Sequence, residues 1–194
     1  MGAHIVFADE SGFQLIPNLV RTWAPQGQTP VHYHRQGKRE KVSVISGISV
    51  SPKRQRLSLY YLLFFNNIGQ EEVCCFLRQL LRHLKGSVIV VLDNASTHQG
   101  QAVKKLLAQH PRLHLEHFPS YAPELNPDEG VWSLAKRELA NSCPRDLEEL
   151  MEDVVRSIDG IRASAHKLRG CILQSDLPCF LQSPLHYLCR PQIS

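Results

Sequence analysis

The stretch Val88–His98, VIVVLDNASTH, decides the fold. Val88, Ile89, Val90, Val91 and Leu92 form an unbroken apolar run, the mark of a strand buried on both faces. The run stops at Asp93 and Asn94, passes through Ala95, Ser96, Thr97 and His98, and enters a helical pattern. Open α/β sheets bind ligands in the crevice beyond the C-terminal ends of such strands, which makes Asp93 a candidate functional residue.

Upstream, His4 to Asp9 alternates, with Ile5, Phe7 and Asp9 on one face. This predicts a short strand that delivers Asp9 at its end and is broken by Glu10, Ser11 and Gly12. Residues 13–40 are irregular and rich in Pro, Gly and Gln. A second strand over 42–50 has Val42, Val44, Ile48 and Val50 on one face, interrupted there by Ser46. A basic turn at 52–55 joins it to a hairpin partner over 57–65. From Gln70 the period becomes 3.6, with Val73, Phe76, Leu77, Leu80, Leu81 and Leu84 on one face of a helix closed by Gly86.

Downstream of Val88–His98, Ala102, Val103, Leu106 and Leu107 give a short helix, and residues 113–118 a further strand. The proline-punctuated loop SYAPELNP (120–127) leads into a helix over 128–139. A last helix, with Leu147, Leu150, Met151, Val154, Val155 and Ile158 inward, opens on Asp146 and Glu149 as a capping box. Residues 160–194 show no clear period. An antiparallel meander followed by right-handed crossovers predicts an α/β mixed sheet with helices on both faces, the ribonuclease H-like arrangement. There the first and fourth strands are neighbours, so Asp9 and Asp93 become adjacent. Glu129, in the first turn of the helix at 128, faces the same crevice.

Composition narrows the function classes. With 194 residues, 43% of them apolar, the chain suits one domain with an adequate core. A net charge of +4 is compatible with nucleic acid without arguing for it alone. The six cysteines show no CxxC spacing and read as reduced thiols of a cytosolic protein, and zinc-ligand spacing is missing. The longest apolar stretch, 57–65, falls far short of the roughly 18 residues that span a bilayer, and nothing reads as a signal peptide.

Three acids at the ends of regular elements suit hard cations, which take carboxylate oxygens, waters and phosphate oxygens. Two such ions can stabilise the attacking and leaving oxygens of a phosphodiester displacement. Each acid also has a plainer reading. Asp93 is an ordinary turn cap, Asp9 an ordinary strand terminus, and Glu129 an acceptable third position in a capping box opened by Asn126 and Pro127. His98 reads first as a local hydrogen-bond partner and Trp132 as core. Glu10 and Glu124 read as solvent-facing or as helper ligands.

The stretches FADESGF (7–13), RTWAPQGQTP (21–30), VLDNASTH (91–98) and PSYAPELNPDEGVWSLAK (119–136) together resemble the catalytic domain of DDE transposases. The resemblance is strongest to bacterial insertion-sequence transposases of the mariner-related superfamily, and it runs from Phe7 to the helix at 146–158. It implies a nuclease core using Mg²⁺ or Mn²⁺, with two ions, that cuts double-stranded DNA at transposon ends and joins the freed 3′-hydroxyl to target DNA. Asp9, Asp93 and Glu129 fall on the family's catalytic, metal-binding acids. Asn94, His98, Asn126, Pro127, Trp132 and Lys136 fall on the surrounding motif positions. The apolar residue usual before the glutamate is Asp128 here, which leaves the register between Asp128 and Glu129 open. The family also implies a helix-turn-helix region ahead of this domain. The chain begins eight residues before Asp9, so a single DDE catalytic domain over 1–194, without that DNA-binding region, is expected.

Residues 32–41 form the densest basic patch, and Arg35, Lys38, Arg39 and Lys41 are candidates to neutralise DNA phosphates, against the alternative of a merely solvated loop. Trp23 reads as filler of the loop's own core or as a base-stacking residue. The resemblance further implies a homodimer on DNA in the bacterial cytosol. Two competing functions remain: a catalytically idle remnant that keeps the fold and binds DNA or a partner transposase, and a hybrid-strand ribonuclease, which the PELNPxE segment fits poorly.

Overall fold

The apolar run at 88–92 is the central parallel strand of a five-stranded sheet. The computed structural model describes residues 2–15, 24–27, 40–140 and 142–178. Strands β1 (His4–Gln14), β2 (Lys41–Val50) and β3 (Leu57–Phe64) form the antiparallel meander. Helix α1 (Gln70–His83) crosses over to β4 (Val88–Leu92), which pairs parallel to β1, and α2 (Gln101–Gln109) crosses to β5 (Leu113–His117), parallel to β4. The strand order is β3-β2-β1-β4-β5. Helices α3 (Asp128–Glu138), α4 (Leu147–Arg162) and α5 (Ala165–Gln174) complete the chain.

Alternation along the strands divides the core in two. Val6, Ala8, Ile45, Val88, Val90 and Leu92 pack under α1 and α2 with Val73, Phe76, Leu77, Leu80, Val103 and Leu106. Phe7, Phe13, Val44, Ile48 and Leu59 pack under the other three helices with Val131, Trp132, Val154, Ile158 and Leu168. Helices therefore cover both faces, as the ribonuclease H-like reading requires. On the α1 side the packing needs glycine at Gly47, where a Cβ would lie 2.7 Å from Val6 Cγ1 and 3.2 Å from Phe76 Cζ. On the other side Tyr61 Oη donates to Asp159 Oδ1 at 2.7 Å, fixing α4 over β3.

The structure changes two expectations. Glu10, Ser11 and Gly12 do not break the first strand: β1 continues to Gln14, because β2 supplies ladder partners through Gln14↔Lys41. The region after residue 160 is not without structure, since α5 packs against α3 and β3. Its pattern is weak because Gly170 interrupts it. Cys171 fits instead against Gly130 of α3, where a Cβ would come within 2.9 Å of Cys171 Cβ. The capping box of α4 is present in part, with Asp146 Oδ1 accepting from the Glu149 amide at 2.9 Å. Glu149 Oε2 accepts from the Arg145 amide instead of from Asp146. Among the described residues no helix is long and apolar enough to cross a membrane.

Candidate active site

The acids converge because of strand register. The β1–β4 ladder runs to Phe7↔Val91, and two residues further on come Asp9, still in β1, and Asp93, just past the end of β4. Glu129 stands in the first turn of α3. Asp9, Asp93, Glu129, Asn94 and Asn126 line one open cleft of about 380 Å³, with the segment 118–123 as its far wall. Tyr121, at φ +59°, is fully exposed on that wall.

Asp9 is the most constrained of the three. Its Oδ2 accepts from Trp132 Nε1–H at 3.0 Å, so Trp132 is core, as its residue type suggested, and also a partner of the site, beside which the family resemblance had placed it. The indole is itself fixed edge-on to Phe13, with ring centroids 6.1 Å apart. Burial, the Glu129 charge and, more weakly, the Asp93 charge push the Asp9 carboxyl up to about 7, against the opposing bonds from the Glu10 amide and Trp132.

Asp93 is exposed and makes the turn-cap bond of the plainer reading, its Oδ1 accepting from the Ala95 amide at 3.0 Å. The same oxygen lies 2.9 Å from His98 Nδ1. His98 is buried, and its Nε2 lies 2.9 Å from Glu10 Oε1. Burial alone lowers the His98 pKa; the bonds to Glu10 and to the Asp93 carbonyl, with both carboxylate charges, outweigh it and raise it. His117, which the sequence did not single out, places Nδ1 2.9 Å from the Asp93 carbonyl oxygen.

Asp128 and Glu129 separate cleanly. Asp128 is fully buried, accepts from Ser46 Oγ at 2.5 Å through Oδ2, and does not line the cleft, whereas Glu129 is exposed and does. Burial, then the charges of Asp9 and Glu129, hold the Asp128 carboxyl well above its ordinary range. Ser46 thus interrupts an apolar face because it faces Asp9 across the ladder and serves Asp128. Asn126 ties the helix start to β1: its Nδ2 donates to the Ala8 carbonyl at 3.3 Å and its Oδ1 accepts from the Asp128 amide at 3.1 Å. Asn126 therefore caps the helix start, but its own amide donates to the Pro123 carbonyl at 2.9 Å and not to Glu129, so the Glu129 half of the capping box is not formed. Asn94 Nδ2 donates to the Phe118 carbonyl at 3.1 Å and braces the far wall.

Lys136, in the last turn of α3, is exposed and outside the cleft lining. Lys41 begins β2 at the same end of the sheet, beyond Asp9. Arg35, Lys38, Arg39 and Trp23 lie outside the described residues.

The donor set suits a hard divalent cation: three carboxylates, no basic side chain among the described residues of the lining, and one acid whose charge is unfavourable as it stands. Among the described residues no three His, Cys, Asp or Glu side chains are already gathered closely enough to enclose an ion. Glu129, being exposed, is the member with rotamers left to adjust, whereas Asp93 Oδ1 is already engaged by the Ala95 amide and His98.

Comparison with known proteins gives the same direction. The sequence profile of the DDE superfamily endonucleases matches residues 4–151. Among solved structures, the Mos1 mariner paired-end complex with Mn superposes with a TM-score of 0.57 at 18% identity, covering 90% of this chain and 56% of that one. The Mos1 strand transfer complex superposes with a TM-score of 0.55 at 19% identity, covering 90% and 55%. At that identity the likeness is one of fold, and the chain spans a little over half the length of the transposase chains it matches. No curated protein matches.

Proposed function

Because the chain belongs to the DDE superfamily of endonucleases, we propose that it is the catalytic domain of an insertion-sequence transposase of the mariner-related superfamily. It hydrolyses DNA phosphodiesters at transposon ends and joins the resulting 3′-hydroxyl to target DNA, in a divalent-metal-dependent manner. One observation carries the reading: three carboxylates from three separate parts of the chain open onto one cleft whose lining, among the described residues, holds no balancing base. The Mos1 neighbours are complexes with transposon ends, with Mn or with Mg, which supports the same partners here.

Asp9, Asp93 and Glu129 would hold two Mg²⁺ or Mn²⁺ ions. The chemistry such ions supply when bound is stabilisation of the attacking and leaving oxygens of an in-line displacement. The chain's own contributions are positional. Trp132 fixes Asp9 through Oδ2, His98 and the Ala95 amide fix Asp93 through Oδ1, and Asn126 fixes the first turn of α3 against β1. The Asp9 carboxyl, being close to half protonated near pH 7, gives up that proton when the cleft gains positive charge. Lys41, with Arg35, Lys38 and Arg39, supplies cations for the DNA backbone in a sequence-independent way. The working form is a homodimer on DNA.

The test is Mn²⁺-dependent nicking of a supercoiled plasmid by wild type and Asp93→Ala, with Mn²⁺ binding measured alongside. Nicking that falls at least about 100-fold in the variant supports the assignment, since losing one carboxylate removes several kcal/mol of charge stabilisation. Equal nicking by both proteins, or a wild type that binds no Mn²⁺, overturns it.

A further inference from the structure

Glu10 follows Asp9 in the chain, yet alternation along β1 sends it to the opposite face of the sheet. Asp9 lies on the Trp132 side, while Glu10 shares the side of Val6 and Ala8, under α1. It does not line the cleft. What it meets instead is the buried ring of His98, in the 3-10 turn Ser96–Gln99 that follows β4. The ring's other nitrogen reaches Asp93 twice, at 2.9 Å from Oδ1 and 3.1 Å from the carbonyl oxygen. His117 approaches the same carbonyl from β5 at 2.9 Å.

We propose that Glu10 is a positioning residue, which acts through His98 to fix the carboxylate and backbone of Asp93, with His117 as a second support on the carbonyl. The first half follows from the donor geometry of imidazole. Both acceptors at Nδ1 are oxygens of Asp93, so this nitrogen must carry hydrogen to bind either of them. Glu10 provides an acceptor at Nε2 and sets the ring plane, as outer carboxylates do for ligand-bound histidines. Without it the ring keeps its buried place but loses the partner that fixes its rotation. Asp93 needs this help because it is exposed and sits one residue past the end of β4. Asp9 has a strand ladder and an indole; among the described residues Asp93 has the turn and these two rings.

The inference rests on the proposed role of Asp93 as a ligand, and a metal-free measurement separates the two. The Ala95 amide donates to Asp93 Oδ1, so its hydrogen exchange, followed by NMR without metal, reports whether that carboxylate is held. Glu10→Ala is expected to speed Ala95 exchange roughly tenfold while amides of β2 and α4 are unchanged. Mn²⁺ affinity, read by electron paramagnetic resonance of the free ion, is expected to fall by roughly tenfold, the lower end for loss of an outer partner. Glu10→Gln, which keeps the acceptor oxygen, is expected to restore most of both.

Unchanged Ala95 exchange in Glu10→Ala overturns the proposal. So does a Glu10→Gln variant that loses Mn²⁺ as fully as Asp93→Asn, because Glu10 would then be a ligand in its own right. Accelerated exchange in Glu10→Ala, in a wild type that binds no Mn²⁺, upholds the positioning role and overturns only the nuclease reading.

Discussion

Asp9→Asn is the substitution that tests the electrostatics of the cleft most directly. The folded Asp9 carboxyl titrates at about 7, against an ordinary value of 3.8, chiefly through burial and the Glu129 charge. A raised carboxyl pKa means that the folded chain binds a proton the unfolded chain has already lost, so stability falls as pH rises between the two values. The contribution is complete below pH 3.8 and gone once pH passes about 7. Between pH 5 and pH 8.5 the wild type should therefore lose roughly 2–3 kcal/mol on account of this group, at about 1.36 kcal/mol per pH decade. Asp9→Asn keeps the shape and removes the titration. Urea unfolding in EDTA at the two pH values measures both proteins. His98, also raised, loses stability in the same direction, but it is present in both proteins and largely cancels in the difference. The variant should therefore be the more stable protein at pH 8.5 without metal, and the gap should close on adding Mn²⁺, which binds only the wild-type cleft well. Equal pH dependence in the two proteins would refute the argument, since Asp9 would then sit at an ordinary pKa.

Two further substitutions probe what surrounds the site. Trp132→Phe keeps most of the ring packing against Phe13 but deletes the donor at Asp9 Oδ2; Mn²⁺ affinity, measured by titration calorimetry, should drop roughly tenfold. Gly130→Ala drives a methyl to within 2.9–3.1 Å of Cys171 and should cost about 1–3 kcal/mol in urea unfolding, by forcing α5 away from α3; an unchanged midpoint would mean the two helices are not tightly docked.

What the sequence made legible was whatever depends on period and strand ends. The run at 88–92 has no polar residue and could only be central, and Asp9 and Asp93 needed nothing beyond the topology to become neighbours. The long β1 was hidden because Glu10-Ser11-Gly12 has poor strand character locally, and only pairing with β2 overrides it. Helix α5 was hidden because its fit depends on the notch at Gly130, a contact between residues far apart in the chain. His98 and Trp132 were singled out, but the acids they bond were hidden for the same reason: Trp132 lies 123 positions from Asp9, and His98 lies 88 from Glu10. Ser46 had left a trace of its own, as a polar residue where the alternation called for an apolar one.

That trace leads to the reason for Asp128. A second acid beside Glu129 would add to the negative charge of the cleft if it faced the same way, and the first turn of α3 prevents this by turning Asp128 inward. There it is fully buried between Ser46 and the negative charges of Asp9 and Glu129, conditions that favour the neutral carboxylic acid. The two faces of the sheet then treat the acids differently. On the face of α3, burial and the Glu129 charge keep the charge of Asp9 costly, while the Trp132 N–H that donates to Oδ2 opposes them. On the face of α1, a carboxylate–imidazole pair holds Asp93 from behind. The charge of Asp9 is thus opposed chiefly by burial and by Glu129, and positive charge entering the cleft would relieve that opposition.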